Sequence, residues 1–141
     1  MLETTSKLFQ KLRGRESGKA FFVREQTDPT CAQMLRDLLE REGLSAAEWI
    51  AAADVSKSYG YQILRGERLP GRDILLRTAL AVHLSLKDTQ RLLAIGGCGA
   101  LYPKVRRDAA VIYALNQNMG LMEAEELLSS LPERSLYAKE S

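Results

Sequence analysis

The sequence predicts an all-α protein of about seven helices, and three observations support this class. Apolar residues recur at intervals of three and four along most of the chain, which is typical of amphipathic helices. Serine, glycine and proline residues stand where these helices are expected to begin and end. No segment shows the alternation of apolar and polar residues that a half-buried strand requires.

The first helix that the pattern defines follows a basic N-terminal segment, residues 1–27. Asp28 is placed to cap it, and Pro29 suits the first helical position, where no amide donor is needed. Gly43 predicts its end, because glycine adopts the left-handed conformation at a helix C-terminus without steric cost.

Two short helices come next, separated by the turn Asp54-Val55. Ser45 and Glu48 have the spacing of a capping box, so the second helix is predicted from there to about residue 53. Ser56 is predicted to cap the third helix, over 56–65. Four later helices follow from the same kind of signal, over residues 72–83, 85–95, 103–118 and 121–131.

A repeat relates the later helices, since residues 72–96 align with residues 107–131 at an offset of 35. The two segments share seven identical pairs: Arg72/Arg107, Asp73/Asp108, Ala79/Ala114, Leu80/Leu115, Leu86/Leu121, Leu92/Leu127 and Leu93/Leu128. A duplicated helical hairpin explains these matches, and so does the similarity of any two amphipathic hairpins. Both interpretations are open at this point.

Composition excludes several classes of protein. No apolar run approaches the roughly 18 residues that a membrane helix needs. No signal peptide is visible, so a cytoplasmic protein is expected. Two separated cysteines and one histidine cannot supply the usual four zinc ligands, and we expect no metal or cofactor. No catalytic constellation is visible either, so an enzyme is not expected.

Charge is distributed unevenly, although the net charge is only +2. Residues 55–77 contain five basic and two acidic side chains, whereas residues 121–141 contain two basic and five acidic ones. A basic middle segment indicates a surface that meets phosphates.

Residues 44–66 contain the most informative pattern, two short helices across a tight turn. The spacing predicts that Trp49, Ala53, Val55 and Ile63 point inward. This segment resembles the helix-turn-helix of the phage-repressor or xenobiotic-response-element (XRE) family of regulators. The broader resemblance covers residues 30–96, and a narrower one includes the run from Ser58 to Pro70 and continues to the last helix.

The resemblance implies a lambda repressor-like five-helix domain, residues 28–98, followed by a C-terminal helical hairpin, residues 99–131, and a tail, residues 132–141. It also implies a DNA interface. Base-facing residues would be Lys57, Ser58, Tyr61 and Gln62, and phosphate contacts would come from Ser45, Arg65, Arg68 and Arg72. Gln62 can pair with adenine and Lys57 with guanine, while arginines neutralise phosphates.

Four positions depart from the family pattern. Ala46 replaces a glutamine that clamps a phosphate, and Asp54 replaces the turn glycine. Ile50 stands where a small residue is usual and Gly60 where a β-branched one is usual. Because these last two positions touch in the family, the large and the small residue are predicted to have exchanged sides with little change in volume.

The sequence thus predicts a transcriptional regulator that binds double-stranded DNA with the helix over 56–65, as a homodimer. The C-terminal hairpin is a candidate surface for a protein partner. The alternative is a protein-interaction adaptor that keeps the helix-turn-helix fold without DNA binding, since fold alone does not give function. A salt-dependent affinity for DNA distinguishes the two.

Overall fold

Seven α-helices form the regular structure of residues 30–137, which are the residues that the computed structural model describes. Within that range there is no strand, in agreement with the predicted all-α class. The helices are α1 (Cys31–Glu42), α2 (Ala46–Ala53), α3 (Lys57–Leu64), α4 (Arg72–Ala81), α5 (Leu86–Ile95), α6 (Arg106–Asn116) and α7 (Leu121–Ser130).

Serine side chains cap three of these helices as predicted. The hydroxyls of Ser45, Ser56 and Ser85 each accept a hydrogen bond from the backbone amide three residues later. The Ser45 amide in turn donates to the Glu48 carboxylate at 3.0 Å, which completes the capping box. Gly43 ends α1 with φ 69°, in the left-handed conformation predicted for it.

Two predicted helix starts need correction. The cap of α1 is Thr30, whose hydroxyl accepts from the Gln33 amide, rather than Asp28. Asp28 and Pro29 lie outside the described residues. The sixth helix begins at Arg106 and not at Pro103, because residues 102–105 form a turn in which the Val105 amide donates to the Tyr102 carbonyl.

One hydrophobic core extends through all the helices. It crosses the boundary predicted between residues 98 and 99, since Leu101 and Leu136 are buried in the same cluster as the α3 and α4 side chains. The largest fully buried side chain is Trp49 of α2, whose indole N–H donates to Thr78 of α4 at 3.0 Å. This contact joins the predicted DNA-binding motif to the helices behind it.

The two aligned segments are held together by reciprocal ion pairs. Arg72 donates to both carboxylate oxygens of Asp108 at 3.0 and 2.9 Å, and Arg107 donates to both of Asp73 at 3.0 and 3.1 Å. Each arginine therefore pairs with the aspartate of the other segment. Such an exchange is what an approximate two-fold axis between α4 and α6 produces, as in a symmetric dimer interface.

Further contacts repeat at the same offset of 35. The Leu101 amide donates to Oε1 of Gln90 at 2.8 Å, and the Leu136 amide donates to Oε1 of Glu125 at 2.7 Å. Each arginine of the ion pairs also donates to two carbonyls at the end of its own segment: Gly99 and Ala100 for Arg72, Arg134 and Ser135 for Arg107. The matching contacts favour duplication over chance similarity, and we refer to residues 72–102 and 107–137 as the first and second repeats.

Candidate nucleic-acid interface

The unit formed by α2 and α3 turns sharply at Asp54. This residue has φ 55°, in the left-handed region, and its amide donates to the carbonyl of Ala51. Aspartate is one of the few residues other than glycine that enters this region at modest cost. The chain therefore makes this turn without a glycine.

Ile50 and Gly60 form the contact between the two helices. A Cβ atom added to Gly60 would lie 2.5 Å from Cγ1 of Ile50, which is closer than real Cβ contacts come. The predicted contact between positions 50 and 60 is confirmed. The predicted inward residues Trp49, Ala53 and Ile63 are buried, and Val55 is half-buried against the core.

The four predicted base-facing residues lie in the first two turns of α3. Lys57 and Ser58 are exposed, and Tyr61 and Gln62, one turn later, are half-buried. Residues at these spacings share one side of a helix. Their arrangement offers an ammonium, a hydroxyl, a phenol and an amide to whatever contacts the front of α3.

The end of α3 is held by the helix that precedes the motif. The guanidinium of Arg36, on α1, donates to the carbonyl of Leu64 in the last turn of α3. This removes one of the unpaired carbonyls of a helix C-terminus and ties α3 to α1. Sequence reasoning missed Arg36, and no local signal marks it, because the two residues are 28 positions apart.

Ser45 lies at the other end of the motif, before α2. Its hydroxyl oxygen accepts from the Glu48 amide at 3.1 Å, and the residue is exposed. The cap uses only an oxygen lone pair, so the hydroxyl can also donate, and the Glu48 carboxylate competes with any other acceptor for that hydrogen. Hydrogen bonds from the Ser45 amide and hydroxyl lower the pKa of Glu48, so a carboxylate stands beside this serine.

Arg65 and Glu67, in the loop after α3, form an exposed two-bond ion pair. Nε and Nη2 of Arg65 donate to the two carboxylate oxygens at 3.0 and 3.1 Å. The hydrogen bonds from Arg65 lower the pKa of Glu67. Both side chains are more than half exposed, so the pair is open to competition from another anion.

Arg68, in the same loop, has a different environment. Its guanidinium carbon lies 5.7 Å from the centre of the Tyr59 ring, a cation–π distance. The Tyr59 hydroxyl donates to the Leu69 carbonyl at 3.3 Å. Arg65 thus contacts a carboxylate, whereas the guanidinium of Arg68 lies over the face of the Tyr59 ring.

Arg72 is engaged inside the protein. In addition to Asp108 it donates to two backbone carbonyls, and its side chain is 24% exposed. Burial alone would raise the pKa of Asp108, but the hydrogen bonds from Arg72 and from the Tyr102 amide outweigh it, so that this pKa is lowered. The guanidinium is therefore committed to the ion pair between the repeats, and we do not include Arg72 in the interface.

Arg77, counted among the basic residues of this region, is buried. Its Nε donates to the Ala53 carbonyl at the end of α2 at 2.7 Å, and Nη1 donates to the Leu136 carbonyl. The guanidinium also lies over the Tyr137 ring. Arg77 thus connects the end of the second repeat to the end of α2 instead of contributing surface charge.

No family model, curated protein or solved structure matches this chain. Between residues 30 and 137, no helix has the length and apolar character needed to cross a membrane. In the same residues, no three histidine, cysteine or acidic side chains are grouped as a metal site would require.

Proposed function

We propose that this protein is a cytoplasmic, sequence-specific transcriptional regulator that reads the major groove of double-stranded DNA with α3. The observation that carries the proposal is the set of polar side chains presented by the first two turns of that helix: Lys57, Ser58, Tyr61 and Gln62. The major groove admits an α-helix, and helix-turn-helix proteins lead with its N-terminal residues. Lysine donates well to guanine acceptors, and glutamine pairs with adenine through two hydrogen bonds.

Three exposed residues around α3 would contact phosphates: Ser45, Arg65 and Arg68. Two of them lie in the loop directly after α3 and one lies before α2, so they flank the base-facing side chains along the chain. Contacts of this kind set the orientation of a protein on the duplex. Each neutralised phosphate also releases counterions, which makes the affinity depend on salt.

The proposal includes a homodimer. A single module buries little surface, and symmetric proteins of this type read two half-sites about one helical turn apart. Tyr113 and Met122 of the second repeat are 52% and 78% exposed, which supports a surface for a second copy or another protein. The same two residues favour the second candidate, an adaptor that binds only protein.

Selection of bound duplexes from a random DNA pool tests the proposal. We compare the wild type with the Lys57→Ala/Gln62→Ala variant and with a matched control, Lys87→Ala/Gln117→Ala, whose residues are exposed on α5 and after α6. Wild type and control should enrich the same motif, and the first variant should lose it. Gel filtration then measures the oligomer. If the wild type enriches no sequence and its affinity for DNA does not change with salt, the DNA-binding function is contradicted and the adaptor remains as the candidate.

A further inference from the structure

Tyr59 lies on α3 but is separate from the base-facing set. Its ring is half-buried and packs against the hydrophobic core, while its hydroxyl reaches the loop after α3 and donates to the Leu69 carbonyl. The chain between these two residues contains Arg65, Glu67 and Arg68. One side chain of α3 therefore binds the far end of this loop.

The same ring supports Arg68. A cation–π contact orients a guanidinium through its face and uses none of its five N–H donors. Among residues 30–137, Arg68 has no carboxylate partner and donates no hydrogen bond, whereas Arg65 and Arg72 each bind a carboxylate through two bonds. Arg68 is therefore the cation of this region that is both positioned and has its donors available.

We propose that Tyr59 is a positioning residue that orients Arg68 and its loop toward the phosphodiester backbone of the bound duplex. The ligand class is a backbone phosphate, because the planar donors of arginine match phosphate oxygens. Tyr59 itself touches no base. This inference rests on the proposed DNA-binding function and assigns a role to a residue outside the predicted interface.

The test measures the affinity of each variant for the selected duplex and for a scrambled duplex over a range of salt concentrations. Tyr59→Leu should weaken both complexes by the same factor, about two- to fivefold, from the size of a cation–π contact. The slope of log affinity against log salt should also become smaller, as we expect for Arg68→Ala. In the Arg68→Ala background, Tyr59→Leu should have no further effect on either quantity.

A purely structural tyrosine would behave differently. Its loss would add to that of Arg68→Ala and leave the salt slope at the wild-type value, and either result overturns the proposal. If Tyr59→Leu does not fold, Tyr59→Phe takes its place, because it keeps the packed ring and removes only the bond to Leu69. It should cause a smaller, uniform loss that disappears in the Arg68→Ala background. Unchanged affinity would overturn the part of the role that rests on the Leu69 bond, and a loss that persists in the Arg68→Ala background would overturn the role as a whole.

Tyr102→Leu is the matched control, since it removes an exposed tyrosine outside the motif. It should leave affinity and salt slope unchanged. The proposed function and the positioning role of Tyr59 are contradicted by different results. A wild type without salt-dependent DNA binding contradicts the proposed function, whereas a wild type that binds DNA and is insensitive to changes at Tyr59 contradicts only the positioning role.

Discussion

Ile50 occupies the space in which a side chain at position 60 would begin. A Cβ atom on Gly60 would lie 2.5 Å from Cγ1 and 2.9 Å from Cδ1 of Ile50, and 3.3 Å from Cγ2 of Val55. The distance between α2 and α3 therefore depends on glycine at position 60. This relationship makes the packing of the motif testable without knowledge of any DNA sequence.

The contact predicts that the effect of Gly60→Ala on the free energy of unfolding depends on which residue stands at position 50. Gly60→Ala should lower the free energy of unfolding by about 1–3 kcal/mol in the wild type, because the new methyl group overfills the contact. In an Ile50→Ala background the same change should be neutral or stabilising by up to about 1 kcal/mol, since alanine favours a helix over glycine. Denaturant unfolding measures both. The control is Gly99→Ala, where a Cβ would meet nothing within 4 Å. Equal effects in the two backgrounds would mean that positions 50 and 60 do not touch.

Single substitutions at the front of α3 should alter base preference. Lys57→Ala and Gln62→Ala should each cost about 1–3 kcal/mol on the preferred duplex and relax the preference at one position, because each removes hydrogen bonds to a base edge. Binding competitions between the preferred duplex and single-base variants measure this. Unchanged preference in both proteins would place the interface elsewhere on the molecule.

Substitution of Arg68 should affect DNA binding, whereas substitution of Arg72 should affect the stability of the fold. Arg68→Ala should reduce the salt slope by about one unit and weaken all duplexes alike, as expected for one phosphate contact. Arg72→Ala should leave the slope unchanged and cost about 3 kcal/mol of stability, because it leaves the buried Asp108 carboxylate without its main partner. Salt titrations and denaturant unfolding of both variants distinguish these outcomes. A smaller salt slope in Arg72→Ala would return that residue to the interface.

Glu67→Gln should strengthen binding. The substitution removes a negative charge from the loop that is proposed to contact phosphates, and it releases Arg65 from a two-bond pair. Since an exposed ion pair is weak and screened by salt, the expected gain in affinity is only about two- to fivefold on any duplex at low salt. Glu126→Gln, on the exposed side of α7, is the control for the change in net charge. Weaker binding of Glu67→Gln would show that Glu67 positions Arg65 for its contact rather than competing for it.

Removal of residues 100–141 should prevent stable folding. Sequence analysis places a boundary between residues 98 and 99, which by itself implies a separable hairpin. In the structure, Asp73 accepts from the guanidinium of Arg107 and Arg72 donates to the carboxylate of Asp108, so both have their partners in the second repeat. Leu101 and Leu136 also belong to the common core. Circular dichroism and denaturant unfolding of the fragment measure its stability. A cooperative transition like that of the full chain would restore the predicted boundary.

The three serine-capped helix starts were determined by the sequence itself. Caps at Ser45, Ser56 and Ser85 involve an amide three residues away, so the residues that decide them are visible together. Ile50 and Gly60 are ten positions apart on adjoining helices, and their volumes are complementary. The caps are local, and physical chemistry at short range is enough to predict them. The contact between positions 50 and 60 was expected only from the resemblance to the XRE family, combined with the complementary volumes.

The roles of the individual arginines were decided only by the tertiary structure. Arg68 and Arg72 look equivalent in the sequence, yet one lies over a ring and the other pairs with a carboxylate 36 positions away. Each repeat contains an arginine followed by an aspartate. The sequence does not show that each arginine pairs with the aspartate of the other repeat. A guanidinium is long and binds whichever acceptor the fold brings near, so its partner depends on how the helices pack and not on its neighbours in the chain.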